Sequence, residues 1–209
     1  MKEQFFLYFS PEIIFFLSLG YVLGSIPFGL LIGFFSGKGD IRKIGSGNIG
    51  ATNILRTGSR LLAALVLFLD SGKGVLAVLL GSIYGTEVAI SAGCASLIGH
   101  IFPIWLINET KKKKILFNLL ILLILTLGSF LYFYSMMVGQ VLILLISSIF
   151  IYTSTNFSWG GKGVATALGI LIAINLIIGI LTIFTWILAA FISKRSSVAA
   201  LISIAIPPI

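Results

Sequence analysis

The nine residues Gly45-Ser-Gly-Asn-Ile-Gly-Ala-Thr-Asn53 carry the densest chemistry in the chain. Gly45, Gly47 and Gly50 are interspersed with Ser46, Asn48, Thr52 and Asn53, between two strongly apolar segments. Glycine allows positive φ and close approach of a ligand, so such a stretch can gather backbone N–H groups on a concave surface. The polar side chains add donors. The run Ile54–Leu69 reads as a helix whose N-terminus faces the loop, a combination that suits a phosphate. Arg42, Lys43, Arg56 and Arg60 make the local field positive. It is not a Walker loop, because no Gly-Lys-Ser or Gly-Lys-Thr follows. A plain connector between membrane helices would use the same small residues, and this stretch alone does not separate the two readings.

A second glycine-rich turn, Gly160-Gly161-Lys162-Gly163, precedes Val164-Ala165-Thr166 at the mouth of another helix and places a lysine to meet an anion. Two such loops on one side of a membrane would accept one phosphate-bearing substrate, or two with one phosphate each. Between them lie Asp70 and Lys73, which share a helix face inside an apolar segment. Charges there face a polar interior or each other, so the pair lines a site or simply orders the bundle. His100 is the single histidine and Cys94 the single cysteine, so no metal centre and no internal disulfide is expected. Trp105 stands where the acyltransferase pattern of His, four residues, Asp would need its Asp. For His100 a hydrogen-bonded packing role is the plainer reading. No Gly-x-Ser-x-Gly elbow or Ser-His-Asp set is evident.

The elements that must position these loops are membrane helices. Hydrophobic residues make up 58% of the 209 and charged residues 10%, against about a quarter in soluble domains. The chain reads as one integral membrane domain over 1–209. The net charge of +8 is gathered in short clusters, notably Gly37–Arg60 and Lys111–Lys114. Such clusters mark the cytoplasmic side, not a nucleic-acid surface, and place the N-terminus outside. Apolar segments run over Ile13–Phe35, Leu61–Tyr84, Val88–Ile107, Ile115–Phe133 and Met136–Tyr152. Pro27 should kink the first, where Gly20/Gly24 and Gly29/Gly33 suit close helix packing. Val164–Ser193 is either one long span or two short ones broken near Asn175, and the positive-inside rule favours the second. The expected fold is an all-α, polytopic membrane bundle of about seven segments.

Together, Leu23-Gly-Ser-Ile-Pro-Phe-Gly29, Gly45–Asn53, Leu69-Asp70 with Lys73-Gly74, Gly99-His100 with Pro103, and Gly160-Gly-Lys-Gly-Val-Ala-Thr166 resemble the bacterial acyl-phosphate:glycerol-3-phosphate acyltransferases, the membrane family known as PlsY. The resemblance covers roughly residues 20–107 and 159–197. It implies acyl transfer from acyl phosphate to the first hydroxyl of glycerol 3-phosphate, giving 1-acyl-glycerol 3-phosphate, at the cytoplasmic face of a bacterial inner membrane. It implies no cofactor, and as partners the two substrates, membrane lipid and a soluble acyl-phosphate-forming enzyme.

By position, Ser46, Gly47 and Asn48 match a phosphate cradle and Arg56 a basic residue beside it. Gly161, Lys162, Gly163 and Thr166 match the glycerol 3-phosphate loop. The expected catalytic set is Ser46, Asn48, Arg56 and Lys162. Gly45, Gly47, Gly50, Thr52, Asn53, Lys73, His100, Gly160, Gly161, Gly163 and Thr166 are expected to bind substrate. Residues 108–158 look like an inserted transmembrane hairpin, and the family's basic C-terminal motif with His and Asn does not follow. Two rivals stand beside the enzyme reading: a transporter or binding protein for an organic phosphate, and an inactive shortened relative.

Overall fold

A computed structural model describes residues 10–106, 160–194 and 196–205. The readings made on 108–158, including the inserted hairpin, its two spans and the lysine run, lie outside the described residues, as do those on 1–9 and 206–209.

Among the described residues all regular structure is helical. Helix α1 (Pro11–Ser25) starts where Ser10 Oγ accepts from Ile13 N at 3.3 Å, with proline at the first position, where no N–H is needed. It stops at Ile26-Pro27, and α2 (Phe28–Phe35) resumes beyond the proline, so the expected kink is a full break. A 3₁₀ turn (Ile41–Lys43) and a short α3 (Ala51–Leu55) precede α4 (Arg60–Ser82). The single helix expected over Ile54–Leu69 is therefore two. Gly58 turns the chain at φ +87°, and Ser59 Oγ caps the new helix by accepting from Leu62 N at 3.3 Å.

Helix α5 (Thr86–Ile101) ends before Pro103, and the Tyr21 hydroxyl donates to Phe102 O at 2.9 Å, fastening that end to α1. The Val164–Ser193 run divides at Asn175 into α6 (Val164–Ile174) and α7 (Leu176–Ser193). Asn175 Oδ1 accepts from Ile177 N and Ile178 N at 3.0 and 3.2 Å, so one side chain ends the first helix and caps the second. Helix α8 (Ser196–Ala205) comes last. Among the described residues four stretches, Pro11–Phe35, Arg60–Ser82, Thr86–Leu106 and Leu176–Ser193, are long and apolar enough to cross a membrane.

In lipid, helices associate through close van der Waals packing more than through apolar burial, which favours small residues at contacts. Gly20 and Gly24 of α1 lie against the Ala92 and Ser96 backbone of α5, and Gly99 returns the contact at Tyr21. Gly74 of α4 meets Thr166 of α6, and Gly169 of α6 meets Ser71. Ile13, Phe16, Ala77, Val88 and Ala92 form the buried apolar cluster where α1, α4 and α5 meet. A Cβ on Gly24 would overlap the Ser96 carbonyl oxygen, whereas one on Gly72 would meet nothing within 4 Å. Gly24→Ala is accordingly expected to destabilise by about 1–3 kcal/mol through overpacking. Gly72→Ala should stabilise by about 0.5–1 kcal/mol through helix propensity. Thermal unfolding of the two variants in detergent checks the opposite signs.

Candidate active site

The loop between the 3₁₀ turn and α3 is built around Asn53, whose side chain is 1% exposed. Its Oδ1 accepts from Ser46 N at 3.1 Å and Ser46 Oγ at 3.4 Å, and its Nδ2 donates to Ile41 O at 2.8 Å. Asn48 Oδ1 accepts from Gly50 N at 2.8 Å, and Gly47 N donates to Ile44 O at 3.0 Å. The amides of Ser46, Gly47 and Gly50 are thus committed inside the loop. This corrects the expectation that they, and the Asn53 side chain, present donors to a ligand: Asn53 holds the loop's shape instead. Asn53→Ala would leave the Ile41 carbonyl with Ile44 N alone and release the Ser46 amide and hydroxyl. It is expected to cost about 1–3 kcal/mol and to speed tryptic cleavage after Arg42 and Lys43, read by gel after brief digestion.

Ser46, Thr52 and Arg56 are exposed, and Asn48 is half-buried. Gly45 adopts φ +55°, and a Cβ there would stand 2.8 Å from Arg56 Nη1, so the Arg56 side chain lies directly over the loop. Arg42 is occupied elsewhere, donating through Nε and Nη2 to Asp40 at 2.9 and 2.7 Å. Those hydrogen bonds hold the Asp40 carboxyl below the usual carboxylate range. Arg56, unlike Arg42, is therefore placed over Gly45.

The loop is seated on the α1–α2 break. Gly29 touches the Ile49 carbonyl and Gly33 packs against Ile41. Their four-residue spacing, expected to receive a helix, receives this loop. One residue before Gly29, the Phe28 ring has Lys73 Nζ 5.7 Å from its centroid, and Lys73 Nζ donates to Ile26 O at 3.0 Å.

Lys73 belongs to a buried charged set. Its Nζ lies 3.0 Å from Asp70 Oδ1, with both side chains 3% exposed. The same carboxylate oxygen is 3.4 Å from His100 Nδ1, a long electrostatic contact and not a well-formed hydrogen bond. Lys73 and His100, expected to touch substrate, are turned inward on Asp70. Sequence spacing pairs Asp70 with Lys73 alone. The contact with His100 comes from a different helix and leaves no local signal.

His100 in turn meets the second loop. Gly160 N donates to Ile101 O at 3.2 Å and Gly161 N to His100 O at 3.1 Å, laying the loop along the end of α5. A Cβ on Gly161 would overlap His100 Nε2. Gly163, at φ +76°, is the N-cap residue of α6 and supplies no side-chain cap. The opening amides of α6 therefore have no side-chain acceptor, and an anion would serve as one. Lys162 is exposed at that mouth, while Thr166 is fully buried with Oγ1 unpartnered. Both loops thus connect to one buried set: the first through Gly29, Phe28 and Lys73, the second through Gly161 and His100.

The family model described as glycerol-3-phosphate acyltransferase matches residues 14–158 and 118–209. A glycerol-3-phosphate acyltransferase of Sinorhizobium medicae (strain WSM419) is 38% identical over 193 residues, 92% of this chain and 70% of that protein. One of Brucella suis (strain ATCC 23445 / NCTC 10510) is 37% identical over 202 residues, 97% of this chain and 76% of that protein. Among solved structures, the glycerol 3-phosphate form of PlsY, an integral membrane glycerol 3-phosphate acyltransferase, superposes with a TM-score of 0.61 at 28% identity. That match covers 94% of this chain and 79% of PlsY. The lysophosphatidic acid form gives 0.59 at the same identity, over 94% of this chain and 78% of that one.

Proposed function

The chain belongs to the glycerol-3-phosphate acyltransferase family, and from that premise we propose that it transfers a fatty acyl group from acyl phosphate to the first hydroxyl of glycerol 3-phosphate, releasing 1-acyl-glycerol 3-phosphate and phosphate. The observation that carries the reading is the pair of glycine loops tied to one buried charged set, each with a cation at its open side: Arg56 over Gly45 and Lys162 before α6.

Acyl phosphate is already activated, so no covalent enzyme nucleophile is needed. The glycerol hydroxyl attacks the acyl carbonyl, the carbonyl–phosphate bond breaks, and a phosphate oxygen takes the hydroxyl proton. The protein's part is to hold both phosphates and to offset the charge that develops. Ser46, Asn48 and Arg56 take one phosphate, with Gly45, Gly47, Gly50 and Thr52 forming the surface that lets it approach. Lys162 and the start of α6 take the other, with Gly160, Gly161 and Gly163 shaping the turn and Thr166 behind it. The loops face the cytoplasm across a bacterial inner membrane, where a soluble acyl-phosphate-forming enzyme supplies the donor.

Purified protein in detergent, given palmitoyl phosphate and labelled glycerol 3-phosphate, should form labelled lysophosphatidic acid. No product from a monodisperse, folded preparation would overturn the proposal. A transporter for organic phosphates would instead bind labelled glycerol 3-phosphate and leave it unchanged.

A further inference from the structure

Asp70, Lys73 and His100 are buried, yet they stand between the two loops and touch what seats each of them. Lys73 Nζ donates to Ile26 O at 3.0 Å and sits over Phe28, the residue before the glycine that carries the first loop. His100 faces Asp70 with Nδ1 and the Gly161 backbone with Nε2, while its own carbonyl accepts from Gly161 N. We propose that His100, oriented by Asp70, is a positioning residue for the Gly160–Gly163 loop and sets the affinity for glycerol 3-phosphate without touching it. The inference rests on the reading that this loop holds the glycerol 3-phosphate phosphate.

The Asp70 carboxylate oxygen, 3.4 Å from His100 Nδ1, attracts that edge of the ring and so favours one orientation of it. The ring in turn fills the space beneath Gly161, where even one methyl group would collide with it. Two amides on the α5 carbonyls then fix the loop's height, and the ring fixes its tilt. Lys73 pairs with the same Asp70 oxygen at 3.0 Å, which restrains the carboxylate that faces the histidine. A loop misplaced by about 1 Å loses a large factor in activity, up to about a hundredfold. The ring thus acts on substrate through backbone geometry.

The test is a cycle on the full chain: wild type, His100→Ala, Gly161→Ala and the double variant. KM is measured separately for glycerol 3-phosphate and for palmitoyl phosphate. Hydrogen exchange is followed at the amides of residues 160–166. His100→Ala is expected to raise KM for glycerol 3-phosphate by about tenfold or more while KM for palmitoyl phosphate moves less than about twofold. Exchange should quicken at 160–166 and stay unchanged in α1 and α4. Gly161→Ala, which pushes the loop off an intact ring, should give the same split, and it serves alone where His100→Ala does not fold. The double variant should be no worse than His100→Ala, because the three atoms nearest the added methyl all belong to the ring that His100→Ala removes.

Unchanged KM values, a loss confined to kcat, or two effects that multiply would each overturn the proposal. A wild type that forms no product would overturn the acyltransferase reading instead. The exchange comparison would still decide whether His100 holds the loop: faster exchange supports the positioning role, and unchanged exchange removes it.

Discussion

Asp70→Asn is expected to lower Tm by about 10 °C. The substitution keeps shape and removes charge, leaving the Lys73 ammonium in a site where both side chains are 3% exposed. Breaking a buried pair by deleting one member costs about 3–5 kcal/mol, because the remaining charge has lost its counterion but not its burial. Lys73 keeps two other contacts, the Ile26 carbonyl at 3.0 Å and the Phe28 ring, which place the effect at the lower end. At this chain length about 2–4 °C of Tm accompanies each kcal/mol, which gives the stated fall. Lys73→Met should be costly in the mirror sense, stranding the carboxylate with only His100 beside it. The double variant Asp70→Asn/Lys73→Met should recover most of the loss, since a buried ion pair is worth little over an apolar replacement of similar volume. Thermal denaturation in detergent, read by size exclusion, measures all three. A single Asp70→Asn protein within about 2 °C of wild type would show that the carboxylate is not what balances Lys73.

This buried set separates what a sequence can reveal from what it cannot. Asp70 and Lys73 announce themselves by i, i+3 spacing in an apolar run, because neighbours on one helix are fixed by helix geometry alone. His100 joins them from α5, and that contact depends on how α4 and α5 pack, which no local pattern encodes. The glycines divide in the same way. Gly20 and Gly24 read as a helix-packing face and lie against Ala92 and Ser96. Gly29 and Gly33 carry the same spacing and receive the glycine loop, because spacing reports that something comes close without naming it. Pro27 and Asn175 are legible as breaks: one lacks a donor, and the other caps the helix after it. The break at Gly58-Ser59 has equally good signals, a turn glycine and a capping serine, which the reading of one helix over Ile54–Leu69 passes over. By its type Asn53 reads as a ligand donor. Its burial is a consequence of the loop's fold, which engages both its carbonyl and its amide group within the loop.

Lys162→Ala is expected to cut kcat/KM for acyl transfer by about 10²–10³. The basic residues near the loops differ in what already engages them. Arg42 is held by Asp40 and Lys73 by Asp70, whereas Lys162 is exposed before a helix whose first amides have no side-chain cap. A phosphate at that mouth would accept from backbone N–H groups along the helix axis and meet the ammonium from the loop, so two favourable fields converge on one charge. Removing the ammonium leaves the amides, which predicts a residual rate and not a complete loss. The defect should appear mainly as a raised KM for glycerol 3-phosphate if the contact is equal in ground and transition states. It should appear in kcat if the lysine also meets charge developing on transfer. Lys162→Arg keeps the charge but spreads it over a rigid fork, so it should recover only part of the rate. Lys38→Ala removes an exposed cation from a different cluster, Gly37–Arg60, and should stay within about twofold of wild type. Equal losses from Lys38→Ala and Lys162→Ala would mean that the clusters act by general surface charge. A loss confined to Lys162 would place the phosphate at the mouth of α6.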